Sequence, residues 1–151
     1  MPDPETLATA VGEGMYARDR AAQALGITVD AIEPGGAVCR MTVGADMVQG
    51  HGTCHGIVFT LADTAFAYAC NACNRATVAL GAEITFVAPA RAGEVLIATA
   101  RERSRAGRTG VYDVEVTNGA GALVALFRGT SYETRGEVVA LAATIEPSVG
   151  S

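Results

Sequence analysis

The chain has no tryptophan, two histidines and few aromatics (5% of 151 residues), so recognition of a flat ring would fall to a handful of Tyr and Phe side chains. Tyr68 and Phe66 are the candidates considered for that role, with core packing as the alternative for both. There is no polybasic run, and a net charge of −5 argues against nucleic acid as the main partner. Only 18% of residues are charged while 50% are hydrophobic, which argues against disorder and leaves little polar surface for a monomer. An oligomer that hides apolar area is expected. The opening Met1-Pro2-Asp3-Pro4-Glu5 carries neither a basic nor an apolar leader region, so no signal peptide is expected. Four cysteines in that context read as reduced thiols of a cytoplasmic protein. No internal repeat or linker divides the chain, so one domain over 1–151 is expected, with its core at about 15–135. A loose tail is expected from Val138 to Ser151.

What is present centres on the stretch from Gly50 to Cys70. A turn rich in Gly and His opens an apolar run without Gly or Pro after Gly56, longer than an ordinary strand and therefore helical. Between Asp46 and Arg75 the one formally charged side chain is Asp63. A helix apolar on every side belongs in a core or an interface, where a carboxylate is costly unless paired, hydrogen-bonded or chemically used. The run is too short to span a bilayer and has Asp63 near its middle, so no membrane is expected as partner.

Around this helix the periodicity changes. Thr6 to Leu25 reads as helical, weakened by Gly12 and Gly14, and stops at Gly26. Ile27–Ile32 and Ala37–Val43 flank Glu33-Pro34-Gly35-Gly36, the chemistry of an antiparallel hairpin. After the helix come Thr77–Val87, Glu94–Ser104, Thr109–Thr117 and Ala122–Thr134, separated by turn residues as a four-strand meander. A six-stranded antiparallel sheet with one long apolar helix to cover it gives an α+β fold, the curved sheet of the hotdog architecture around a central helix, preceded by a short helical segment.

Several reactive residue types have plain structural alternatives. His51 and His55 are four apart but straddle a turn and lack a third ligand, so no metal is expected. Cys54 and His55 are adjacent, and adjacent side chains point apart. Cys70-Asn71-Ala72-Cys73 has the spacing of a redox or zinc half-site without a second pair, and reads as helix-end packing. Arg101, Arg103 and Arg105 alternate on one strand and are expected to share a face, more readily a solvated one than a phosphate site. Asp63 taken alone is as readily a structural carboxylate as a catalytic one.

Gly50-His51, then Cys54-His55-Gly56, then Leu61-Ala62-Asp63-Thr64-Ala65 resembles the signature of hotdog-fold acyl-CoA thioesterases. The run Leu61 to Asn71, Thr109 to Val116 and Val124 to Gly129 are similar to the phenylacetate-pathway (PaaI-type) phenylacetyl-CoA thioesterases. Three positions depart from that pattern: Ile57 for a second Gly, Gln49 for an Asn, and Ala88 for an Arg before Pro89.

The resemblance implies hydrolysis of phenylacetyl-CoA or a ring-hydroxylated relative, with no cofactor, coenzyme A being part of the substrate. Asp63 would be base or nucleophile. The N–H of Gly56, at a helix start where such groups lack intrahelical partners, would hold the oxyanion. His55 and Gln49 complete the expected catalytic set, and Thr64, Ile57, Tyr68, Arg91 and Arg128 the substrate-binding set. Gly56 and Asp63 are seven residues apart, about 10 Å along a helix axis. Two antiparallel helices across a two-fold axis would unite them, so a homodimer is expected, and the resemblance implies that it pairs again as a homotetramer. Two other readings stay open: a hotdog enoyl-CoA hydratase, and an acyl-CoA binder without turnover.

Overall fold

The computed structural model describes residues 2–140. The N-terminal helical segment is α1 (Pro4–Arg18) and α2 (Arg20–Ala24). It begins earlier than Thr6 because Asp3 caps it, its Oδ1 accepting from the N–H groups of Glu5 and Thr6 at 3.1 and 2.9 Å. It breaks at Asp19, not at the glycines, since that carboxylate accepts from Ala22 N–H and starts α2. Gly12 and Gly14 lie inside α1 because neighbours press on it: a methyl at Gly12 would sit 3.1 Å from Ile32, and one at Gly14 would collide with Val139.

Six strands follow: β1 (Thr28–Glu33), β2 (Gly36–Thr42), β3 (Thr77–Phe86), β4 (Val95–Ala106), β5 (Thr109–Asn118) and β6 (Leu123–Glu133). They form one antiparallel sheet in the order β1-β2-β4-β5-β6-β3. The β1–β2 hairpin turns at Pro34-Gly35, where Gly35 takes a φ of +75°. The expected four-strand meander is corrected. β4, β5 and β6 are consecutive neighbours, but β3 lies beyond β6, so the Pro89–Gly93 stretch carries the chain across the sheet instead of closing a hairpin.

The long helix α3 (Gly56–Asn71) lies against the concave face. Val58, Leu61, Ala62, Ala65, Phe66, Tyr68 and Ala69 are buried against it together with Met41, Leu96, Val114 and Phe127. Gly129 leaves room for this packing, since a methyl there would come within 2.8 Å of the Phe66 ring. The helix is not covered all round within one chain. Gly56 is exposed, and Thr60, Asp63, Thr64 and Ala67 form a half-covered stripe on its outer side. This is the hotdog arrangement.

Two other expectations change. A bulge between Glu102 and Ser104 reverses the alternation of β4. Arg103 pairs with Asp113 on the convex face, while Arg105 turns to the concave side and bonds Glu133 Oε1 at 3.0 Å. The three arginines therefore do not share a face. The tail expected to be loose is tied down where it is described: Asn74 exchanges hydrogen bonds with Val139, and Arg18 donates to Val138 O. The rest of that tail, 141–151, lies outside the described residues. Among the described residues, no helix is long and apolar enough to cross a membrane.

Candidate active site

The loop before α3 is held by short-range hydrogen bonds. Gln49 N–H donates to Thr53 O at 2.9 Å, and Gly52, at a φ of +81°, donates back to Gln49 O at 2.8 Å. Cys54 N–H donates to Ala90 O at 2.8 Å and pairs with it as an isolated bridge, tying the loop to the β3–β4 connection. The chain then enters α3 at His55, whose side chain makes no capping hydrogen bond.

The helix start is therefore satisfied from elsewhere. Gly56 N–H donates to Gln49 Oε1 at 3.0 Å, so a carbonyl oxygen already sits where an oxyanion would be held. A methyl on Gly56 would meet nothing within 4 Å, so this chain's own packing does not demand the glycine, and the space on the Cβ side of the residue is open. The N–H groups of Val58 and Ile57 favour the Cys54 thiolate, but burial outweighs them and pushes that thiol up. Cys54 is packing, as its neighbouring His55 already implied.

Asp63 lies two turns further along the half-covered stripe. Burial pushes its carboxyl above the usual range, and among the described residues no hydrogen bond or ion pair reaches it. Thr64 does not cap it. That hydroxyl donates to Thr60 O at 2.7 Å, within the helix. Ile57 is half-buried and packs against the core edge beside Gly56. An unpaired, desolvated carboxyl such as Asp63 can activate a water, and a helix-start N–H such as that of Gly56, two turns away, can hold a developing negative charge.

Other expected residues are placed elsewhere. Tyr68 is fully buried, and its hydroxyl donates to Asp19 Oδ2 at 3.1 Å. It is a core residue tying α3 to the N-terminal helices, as Phe66 is a core residue under Gly129. Arg128 lies on the convex face, where it makes a two-pronged pair with Asp113 at 2.6 and 2.9 Å and lowers that carboxyl's pKa. The sheet separates it from α3. Arg91 follows Ala90, next to the loop, with its side chain exposed and its N–H donating to Glu94 Oε1. Cys70 is held protonated, burial raising its thiol to about 12. Among the described residues no three His, Cys, Asp or Glu side chains gather as a metal site.

One residue absent from the expected set does reach the loop. The Phe86 ring, at the end of β3, lies 3.8 Å from the His55 ring, centroid to centroid. Phe59, one turn before Asp63, packs edge-on against Phe127 at 5.3 Å. A strand-end aromatic next to Val87 and Pro89 was a weak signal, because its partner is about thirty residues away in sequence.

With this geometry in hand, the comparisons are specific. The model of the thioesterase superfamily matches residues 51–125. The chain is 49% identical over 125 residues to the acyl-coenzyme A thioesterase PaaI of Escherichia coli K12, covering 82% of this chain and 89% of that one. The solved E. coli PaaI structure superposes with a TM-score of 0.86 at 46% identity, over 88% of this chain and 97% of the other. The structure of a point mutant of the phenylacetic acid degradation protein PaaI from Thermus thermophilus superposes at 0.74 with 41% identity, over 77% and 100%.

Proposed function

The chain belongs to the thioesterase superfamily, and from that premise we propose that it hydrolyses phenylacetyl-CoA or a ring-hydroxylated relative to the free acid and CoA. The observation that carries the reading is Asp63, an unpaired and partly desolvated carboxyl on the helix whose first N–H is met, among the described residues, by the Gln49 side-chain carbonyl alone. The similar E. coli protein, described as an acyl-coenzyme A thioesterase, supports the chemistry of the ester.

In this reading the Asp63 carboxylate takes a proton from water, whose oxygen adds to the thioester carbon. The carbonyl electrons move onto oxygen, which Gly56 N–H stabilises together with the positive end of α3. Collapse of this intermediate expels CoA thiolate, and the proton held by Asp63 passes to the sulfur. The alternative, attack by Asp63 itself to give an anhydride, uses the same two groups. A raised carboxyl pKa makes the carboxylate a stronger base, and it acts above that pKa, where it is ionised. His55 and Gln49 shape the helix start, and no metal or resident cofactor takes part.

Gly56 and Asp63 are seven positions apart on one helix, about 10 Å, too far to act on one carbon. The open stripe of α3 and the bare edge of β3 are the surfaces through which a second copy would bring its Asp63 to this chain's Gly56. In this proposal the working form is a two-fold dimer with two shared sites. The pairing of dimers into a tetramer, which rests on the family resemblance, and the cytoplasmic location are further parts of the proposal.

The test is thiol release from a panel of CoA esters (phenylacetyl, hydroxyphenylacetyl, hydroxybenzoyl, short and medium straight chains), wild type beside Asp63→Ala. Aryl-acetyl esters should turn over best, and the variant should stay folded and lose about 100-fold or more in kcat, the scale of a general base. An Asp63→Ala protein that keeps wild-type turnover would sink the assignment.

A further inference from the structure

Phe86 shares the helix-facing side of β3 with Ile84, pairing with Ala125 as Ile84 pairs with Phe127. Ile84 is packed against the core, but α3 begins beside Phe86 and leaves that residue 37% exposed. What covers it is the His55 ring, tilted 42° at 3.8 Å. His55 immediately precedes Gly56, so an aromatic surface lies next to the N–H proposed to hold the thioester oxygen. A cleft of about 230 Å³ opens here between Thr53–His55 and Phe86–Pro89. Roughly 150 Å³ is enough for a benzene-sized guest, so the cleft has room for an aryl group. The two aromatics considered from sequence, Tyr68 and Phe66, are both buried in the core and cannot take this role.

We infer that Phe86 determines acyl-group specificity: the aryl end of the acyl chain packs against the open side of its ring, in the cleft beside His55. The inference rests on the thioesterase reading, since it places the acyl chain next to Gly56. Ring pairs prefer offset or edge-on contact, which a ring already tilted against His55 leaves available on its free side. Leu or Ala at this position would keep an apolar wall but lose the geometry that separates an aryl from an alkyl chain.

The test uses two non-hydrolysable thioethers, 2-phenylethyl-CoA and hexyl-CoA, so that it does not depend on turnover. Calorimetric Kd values are measured for wild type, Phe86→Leu and Phe86→Tyr, with thermal melts to verify folding. Phe86→Leu should weaken 2-phenylethyl-CoA by about threefold to tenfold, the usual worth of an aromatic pair, and leave hexyl-CoA within about twofold. Phe86→Tyr should restore the preference. Equal weakening of both thioethers would make Phe86 a support for the loop and overturn the inference, as would no change in either. Thiol release from phenylacetyl-CoA by the same proteins separates the two levels. Selective binding without turnover in wild type would defeat the hydrolase reading and leave the role of Phe86 standing.

Discussion

The two edges of the sheet are built to opposite ends. β1, at one edge, is six residues long, is bent by a bulge between Val29 and Ala31, and carries Asp30 and Glu33. α1 lies against it, with Gly12 pressed onto Ile32, and Arg40 of β2 pairs with Asp30 at 2.7 Å. Short length, a bulge, charge and a covering helix are the standard ways to keep an edge from pairing with another chain. β3, at the other edge, is ten residues long, has Glu83 as its single charge and leaves Val78 and Leu80 more than half exposed. No helix covers it among the described residues. One edge is closed, and the other is left available next to the open stripe of α3.

That contrast can be broken most severely at β3. Leu80→Lys should convert the proposed dimer to monomer in light scattering or sedimentation and cut kcat/KM at least about tenfold, since the shared site is lost. The matching change on the guarded edge, Ala31→Lys, should alter neither. Activity that survives in a monomeric Leu80→Lys protein would mean that one chain carries the whole site.

A smaller effect sharpens the link between the open edge and Asp63. Its folded pKa is raised by burial, so the native state binds the proton more tightly than the unfolded chain does. Wild-type stability therefore falls as pH rises from the unfolded carboxylate value through the raised one. Asp63→Asn should be the more stable protein at neutral pH by thermal melt, and the gap should close as pH falls below about 4, the ordinary carboxylate range. A gap that stays constant with pH would show that the ionised carboxylate carries no burial penalty.

The smallest change belongs to the closed edge. Arg40→Ala removes a pair whose arginine is 56% exposed, and should cost under about 1 kcal/mol in denaturant unfolding, with activity intact.

Much of this architecture was legible in the sequence because alternation, turn residues and the apolar run from Gly56 are local signals. Strand order was not. Pro89 to Gly93 has the same turn chemistry whether the next strand lies alongside or across the sheet, and only the packed sheet separates the two. The face of Arg105 was lost to one extra residue in β4, which no periodicity marks. Tyr68 could have been placed, since it follows Leu61 and Ala65 on the same helical stripe and that stripe faces the sheet. The loop and helix carrying Gln49, His55, Gly56 and Asp63 were legible through resemblance and spacing. The approach of Phe86 to His55 was not, because it depends on where α3 begins relative to the end of β3.

The hydrogen bond from Gly56 N–H to Gln49 Oε1 bears on how binding energy is divided between substrate and transition state. In the proposed reaction, a thioester oxygen arriving at that N–H would displace an amide oxygen, one neutral acceptor for another, so the exchange would add little to substrate affinity. Once the thioester carbon becomes tetrahedral, the same N–H faces a full negative charge, and charge-assisted bonds are roughly twice as strong as neutral ones. The Gln49 carboxamide cannot offer that charge. If Gly56 N–H serves as proposed, Gln49, by filling the position in the resting protein, cancels the ground-state share of the contact and leaves the remainder to lower the barrier.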